Sequence, residues 1–113
     1  MHEMSIAMNI VDLAVETAKN NKAKTINSIV LELGSLSGVV RDALEFCFDS
    51  ACKGTMAEGA ELEIIELKAQ AHCANCKLDF ETEQMVANCP ECNEYIFDIQ
   101  GGRELKIRSL NVD

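Results

Sequence analysis

Apolar side chains recur at helical intervals near the start of the chain. From Met4 to Ala18 they include Met4, Ala7, Met8, Val11, Ala14, Val15 and Ala18, and this spacing predicts an amphipathic helix. The polar run KNNKAK stops it. In TINSIVLELG the period shortens to two. Ile29, Leu31 and Leu33 alternate with Val30 and Glu32, which predicts a strand ended by Gly34. SLSG reads as a turn. The helical period then returns, with Val40, Ala43, Leu44, Cys47, Phe48 and Ala51 on one stripe. KGTMAEGA breaks that helix, and ELEIIELKA predicts a second strand through Leu62, Ile64, Ile65 and Leu67. A last strand-like run, RELKIRSL, sets Leu105 and Ile107 on one face.

Between Ala69 and about Gln100 the texture changes. Four cysteines appear there, with the only proline and the only tyrosine. The order is helix, strand, helix, strand, cysteine module, strand. It predicts an α+β fold in which two helices pack on a small, about three-stranded sheet and a zinc-ribbon-like module is inserted before the last strand. Residues 1–68, completed by 101–113, would form the α/β domain, and 69–100 the module.

Composition narrows the function. Apolar residues make up 48% of the 113, enough for a modest core that must be aliphatic, because there is no Trp, one Tyr and four Phe. The net charge of −9 argues against nucleic acid, whose phosphates need a basic face. A cation or a basic protein fits it better. No apolar run is long enough to span a membrane, and no secretory leader pattern is present, so a cytoplasmic setting is expected. There, six cysteines read as metal ligands or core thiols rather than disulfides.

The sharpest motif is CANC at 73–76 followed by CPEC at 89–92, with twelve residues between. Two such pairs bring Cys73, Cys76, Cys89 and Cys92 to one tetrahedral centre, each pair wrapping the metal as a knuckle whose backbone N–H groups bond the sulfurs. Zn²⁺ accepts four thiolates, and the closed shell leaves no place for water or substrate, so the site reads as structural. Iron in a rubredoxin-like site is the main competitor, and a redox dithiol pair the weaker one. A metal bound here would supply much of the folding energy of so small a module. His72, beside Cys73, reads as a surface residue rather than a fifth ligand. Cys47 and Cys52 read as core thiols.

The start of the chain, MHEMSIA, concentrates nitrogen donors. The Met1 amine, the amides of His2 and Glu3 and the His2 imidazole lie within three residues. Amine and following amide close a five-membered chelate that the imidazole can join. A planar nitrogen set of this kind favours Ni²⁺ or Cu²⁺ over Zn²⁺. On spacing alone a histidine near a terminus is more often only solvated, and Glu3 is a favourable charge at a helix N-terminus.

MHEMSIA, LELGSLSGV at 31–39, ALEFCFDSACKGT at 43–55 and the paired cysteines together resemble the HypA/HybF family, in the same order over essentially the whole chain. The resemblance implies a non-catalytic nickel metallochaperone of [NiFe]-hydrogenase maturation. It implies a nickel site at the Met-His-Glu start (His2, with Met1 and Glu3) and structural zinc on the cysteine pairs. It implies a HypB-type GTPase partner and delivery of Ni(II) to the hydrogenase large subunit, with urease maturation served by some members. No Gly-rich phosphate loop is present, so nucleotide hydrolysis would belong to the partner. An acidic nickel ligand known after the first strand in some members has only Asp42 to take its place in SGVVRD. A homodimer is compatible with this reading. The competing class is a zinc-ribbon protein–protein adaptor without nickel cargo.

Overall fold

The structure, a computed structural model, describes residues 2–113. Met1 lies outside the described residues, and with it one candidate nickel ligand. In chain order the elements are α1 (Glu3–Asn20), β1 (Ile26–Gly34), α2 (Arg41–Cys52), β2 (Glu61–Leu67), β3 (Ala69–Cys73), β4 (Leu78–Thr82), β5 (Ala87–Asn88), β6 (Tyr95–Ile96), β7 (Ile99–Gln100) and β8 (Leu105–Val112). The expected α+β class holds: two helices, a three-stranded sheet of order β2-β1-β8, and a cysteine module with small sheets of its own, β4-β3-β7 and β5-β6. The chain divides into two compact units. One holds Met1–Glu32, Val39–Ile65 and Lys106–Asp113, and the other Leu33–Gly38 and Glu66–Leu105.

In the first unit α1 and α2 pack against each other. The alternation along β1 is the one its sequence predicts, with Ile29 and Leu31 fully buried. Glu32, on the opposite parity, lies 3.5 Å from Lys106 Nζ and 4.0 Å from Arg108 Nε. Those two cations stand two residues apart on β8, so they share one side of that strand.

Both helices sit rotated by one row from the stripe read in the sequence. On α1 the buried row is Glu3, Ala7, Ile10, Val11, Ala14 and Ala18. Met4 and Met8 turn outward, 40% and 51% exposed. On α2 the buried row is Leu44, Phe48 and Cys52, while Ala43, Cys47 and Ala51 are half-buried. Spacings of three and four define two adjacent rows on a helix, and only the neighbouring element decides which one faces inward. Cys52 is therefore the core thiol, with Cys47 on the flank. Burial, helped by the charge of Asp49, pushes the Cys52 thiol up to about 11.

α1 ends in a Schellman turn. The Ala23 N–H donates to Ala18 O (2.9 Å) and the Lys22 N–H to Lys19 O (3.0 Å), while Lys22 takes φ 60°. A lysine there carries a Cβ in the left-handed region, at a cost of about 1 kcal/mol. In the second unit, two glycines let backbones touch. A Cβ on Gly34 would lie 2.2 Å from Gly102 O, and Gly102 itself has φ +82°. Around them the Gly34 N–H donates to Glu104 O (2.7 Å) and the Leu36 N–H to Gly102 O (2.5 Å).

Two glycine substitutions should therefore act in opposite directions. Lys22→Gly is expected to stabilise the protein by about 1 kcal/mol, since glycine adopts positive φ freely. Gly34→Ala should destabilise it by about 2 kcal/mol or more, because the new methyl meets backbone that cannot move aside. Chemical denaturation of the metal-loaded protein measures both. Equal stability of Gly34→Ala and the parent would mean the two backbones do not approach this closely.

Candidate metal centre

β3 and β4 form an antiparallel hairpin in which Ala69 faces Thr82 and Cys73 faces Leu78. Its four-residue loop, Ala74–Lys77, is the first knuckle. Along β3 the side chains alternate: Ala69, Ala71 and Cys73 are buried, and Gln70 and His72 exposed. The second hairpin pairs β5 with β6, Ala87 with Ile96 and Asn88 with Tyr95. Its loop carries the second knuckle, closed by Asn93 N–H to Cys89 O (2.8 Å) and Cys89 N–H to Glu94 O (3.0 Å). In both knuckles the residue after the second cysteine is left-handed, Lys77 at φ 53° and Asn93 at φ 62°. Neither is glycine. Asn93 is a residue type that tolerates this conformation, whereas nothing local in the sequence marks Lys77.

The two loops bring the sulfurs of Cys73, Cys76, Cys89 and Cys92 within 4.8 Å of one another. Cys73 Sγ and Cys92 Sγ lie 3.7 Å apart. A tetrahedral ion with metal–sulfur bonds of about 2.3 Å has sulfur–sulfur edges of about 3.8 Å, so the donor set fits such an ion. The surrounding core is slight. Its buried members are Ala71, Cys73, Ala87, Cys89 and Ile96, and only Ile96 is a large hydrocarbon. Two of the five are ligands, and the other two ligands, Cys76 and Cys92, pack against the same cluster.

The electrostatics carry the same message. Cys89 is pulled down to about 7, chiefly by the Cys92 backbone N–H and then by that of Glu91. The Cys76 N–H likewise lowers Cys73, but burial and the Cys89 and Cys92 thiols carry Cys73 upward on balance. Cys76 is pushed up to about 12, first by its contact with Cys92 and then by burial. Four sulfurs at this distance cannot all ionise by themselves. A bound cation would let them, and one thiolate is already favoured by the knuckle amides.

His72 takes no part in the cluster. Its Nδ1 is 2.6 Å from Asp79 Oδ1 across the β3–β4 pair, in keeping with its reading as a surface residue. Among the described residues, the cysteine four is the only group of three or more His, Cys, Asp or Glu side chains with converging ligand atoms. His2 and Asp42 are exposed on the first unit, with Asp42 in the first turn of α2.

Glu3 behaves unlike a surface charge. It is 7% exposed, and its Oε2 accepts the Val40 N–H at 3.4 Å. That contact ties the first turn of α1 to the N-cap of α2. Hydrogen bonds hold its carboxyl down at about 2, against burial that would raise it. Its contribution to stability is then present above pH 4.5 and fades as the pH falls towards 2. No sequence signal marks this burial, since a glutamate at a helix start is ordinarily solvated. His2 occupies the N-cap of α1 and makes no side-chain capping bond. Its carbonyl accepts the Ile6 N–H at 3.0 Å, and its imidazole is exposed.

Comparison with known proteins gives a consistent result. The protein-family model described as "Hydrogenase/urease nickel incorporation, metallochaperone, hypA" matches residues 1–112. The hydrogenase maturation factor HypA of Psychromonas ingrahamii is 43% identical over 113 residues, covering 100% of this chain and 99% of that protein. HypA of Chlorobaculum parvum is 41% identical with both chains fully covered. Among solved structures, the solution structure of the Ni metallochaperone HypA from Helicobacter pylori superposes with a TM-score of 0.67 at 25% identity, covering 99% of this chain and 97% of that one.

Loss of one sulfur should be felt through the whole second unit. Cys73→Ser and Cys92→Ser are each expected to lose the bound metal and unfold Glu66–Leu105, leaving the helical circular dichroism of α1 and α2. Metal analysis together with far-ultraviolet spectra checks this, and full retention of one metal per chain in both variants would rule out a four-sulfur cage. Because Cys73 and Cys76 are protonated at neutral pH in the stripped protein, metal binding should release at least two protons and weaken as the pH falls. Calorimetry in buffers of different ionisation enthalpy counts them.

Proposed function

We propose, since this chain belongs to the HypA family of hydrogenase and urease nickel-incorporation metallochaperones, that it carries Ni(II) at its first residues while Zn(II) on Cys73, Cys76, Cys89 and Cys92 holds the second unit folded. The observation that carries the nickel reading is His2. Its imidazole is exposed and makes no capping bond at the head of an eighteen-residue helix. Amine, amides and imidazole of the Met-His-Glu start then offer a planar nitrogen set, with Glu3 taking part through its backbone nitrogen. Such a set selects Ni²⁺ over the zinc held in the sulfur cage.

Glu3 has a second role in this reading. A helix N-terminus carries positive potential, which disfavours a cation bound beside it. The buried Glu3 carboxylate offsets that potential and, through the Val40 N–H, fixes the head of α1. A short arm held by a fixed helix loses less entropy when it closes on a metal. The site is open, so a receiving protein can reach the ion, whereas a closed sulfur cage resists exchange. Nickel handling is accordingly assigned to residues 1–68 with 101–113, and the structural metal to 69–100.

Transfer requires partners. We assign a HypB-type GTPase as the co-worker, because no phosphate-binding loop is present in this chain, and the large subunit of [NiFe]-hydrogenase as the recipient, with urease accessory proteins as a further outlet. In this reading the protein would act in the cytoplasm, as a carrier rather than an enzyme. No helix among the described residues is long and apolar enough to cross a membrane.

Two variants test the nickel site. His2→Ala should abolish stoichiometric Ni²⁺ binding while leaving zinc content and fold intact, because the side chain is exposed and makes no capping bond. Adding one residue before Met1 should weaken Ni²⁺ binding and change the visible spectrum of the planar complex, although His2 remains. If the extended protein keeps the parent's affinity and spectrum, the amine is not a ligand and Asp42 becomes the next side chain to replace.

A further inference from the structure

Aromatic side chains are the largest apolar groups a small protein has to bury, each worth 150–250 Å². This chain has only five, four Phe and one Tyr. Phe48 is in the core, but Tyr95 is 70% exposed and Phe97 75%. The exposure follows from register. Ala87 and Ile96 face each other and point into the cysteine core, 3% and 7% exposed. Alternation within β6 turns Tyr95 to the outer side, and Phe97, which follows the strand, is exposed as well. Just before β5, Val86 is 40% exposed and Met85 59% exposed. The metal site does not use this face, since its four sulfurs gather on the inner side of the same hairpin.

The stretch of chain that carries the patch has one sign of charge. From Leu78 to Asp98 there is no Lys or Arg, while Asp79, Glu81, Glu83, Glu91, Glu94 and Asp98 are all acidic. Glu94 directly precedes Tyr95 and Asp98 directly follows Phe97, so carboxylates bracket the aromatic pair along the chain. An apolar face rimmed by polar groups marks an interaction site, and aromatic side chains are the usual anchors of such sites. The rim also says what fits. A second copy of this chain would bring the same carboxylates against these and be repelled. A membrane surface, whose accessible lipids are anionic, would be repelled too.

We propose that the outer face of the β5–β6 hairpin docks a segment of a partner protein whose apolar side chains are flanked by lysine or arginine. The apolar residues cover Tyr95, Phe97 and Val86, and the flanking cations meet Glu94, Asp98 and Glu91. This surface shares no residue with the first residues of the chain, and the proposal does not rest on the nickel reading.

Two synthetic peptides test it on the zinc-loaded full-length protein. Both share an extended core of alternating valine and threonine; one is flanked by lysines and the other by glutamates. The lysine-flanked peptide should bind, with backbone amide shifts centred on residues 86 and 94–98 and an affinity that falls as salt is added. The glutamate-flanked peptide should bind at least about tenfold more weakly, and Phe97→Ser or Tyr95→Ser should each cost the lysine-flanked peptide about tenfold, the range of an interface anchor. Both side chains are exposed, so zinc content and circular dichroism should not change. Absence of binding by the lysine-flanked peptide, equal binding of the two peptides, or indifference to both substitutions would overturn the proposal. A dimer in sedimentation that Phe97→Ser dissociates would overturn it as well, by showing that a second copy covers this face.

Discussion

The second unit depends on four thiols held within 4.8 Å of one another. Its buried cluster contains a single large hydrocarbon side chain, Ile96. Hydrophobic burial on that scale does not fold a unit made of Leu33–Gly38 and Glu66–Leu105, so cohesion has to come from the centre itself. The same crowding that raises Cys76 to about 12 in the free thiols becomes attraction once a cation lies between the sulfurs. Each hairpin contributes one pair of sulfurs, and each knuckle turns through a left-handed residue, Lys77 or Asn93, immediately after its second cysteine. The local backbone cost of those turns is accepted because it aims two sulfurs at one point.

The proposed division of labour between two metals follows from coordination chemistry. A closed shell of soft thiolates holds an ion that the protein keeps. An exposed nitrogen chelate suits an ion that the protein gives up. The two differ in donor type, geometry and access, so one chain can carry both without exchange between them. In that proposal Glu3 would connect the open site to the fold, since it is a buried carboxylate spanning the starts of α1 and α2. A buried charge without such partners would be strongly destabilising.

Charge and exposure also sort the surface. The net charge of −9 is spread over both units, but the stretch from Leu78 to Asp98 has no compensating cation. There the chain exposes two of its five aromatic rings while burying alanine and cysteine beneath them. In a protein short of large core residues, leaving Tyr95 and Phe97 outside is costly for folding and is consistent with a surface kept for contact.

Period and spacing determined much of this protein. The switch from a helical period to alternation at Ile29, Leu31 and Leu33, the return of the helical period at Val40, and the two Cys-x-x-Cys pairs announced both helices, the central strand and the convergence of four sulfurs. These features are legible because each is written in neighbouring residues and set by the pitch of one element. The tertiary structure decided what no single element contains. It chose Ile10 over Met4 and Met8, and Cys52 over Cys47, because adjacent rows of a helix look alike until another helix covers one of them. It buried Glu3 against the Val40 N–H, a contact 37 residues distant along the chain. It required glycine at 34 because the backbone at Gly102 passes there. Spacing specifies what a segment can form, but burial is a relation between segments, and only their packing assigns it.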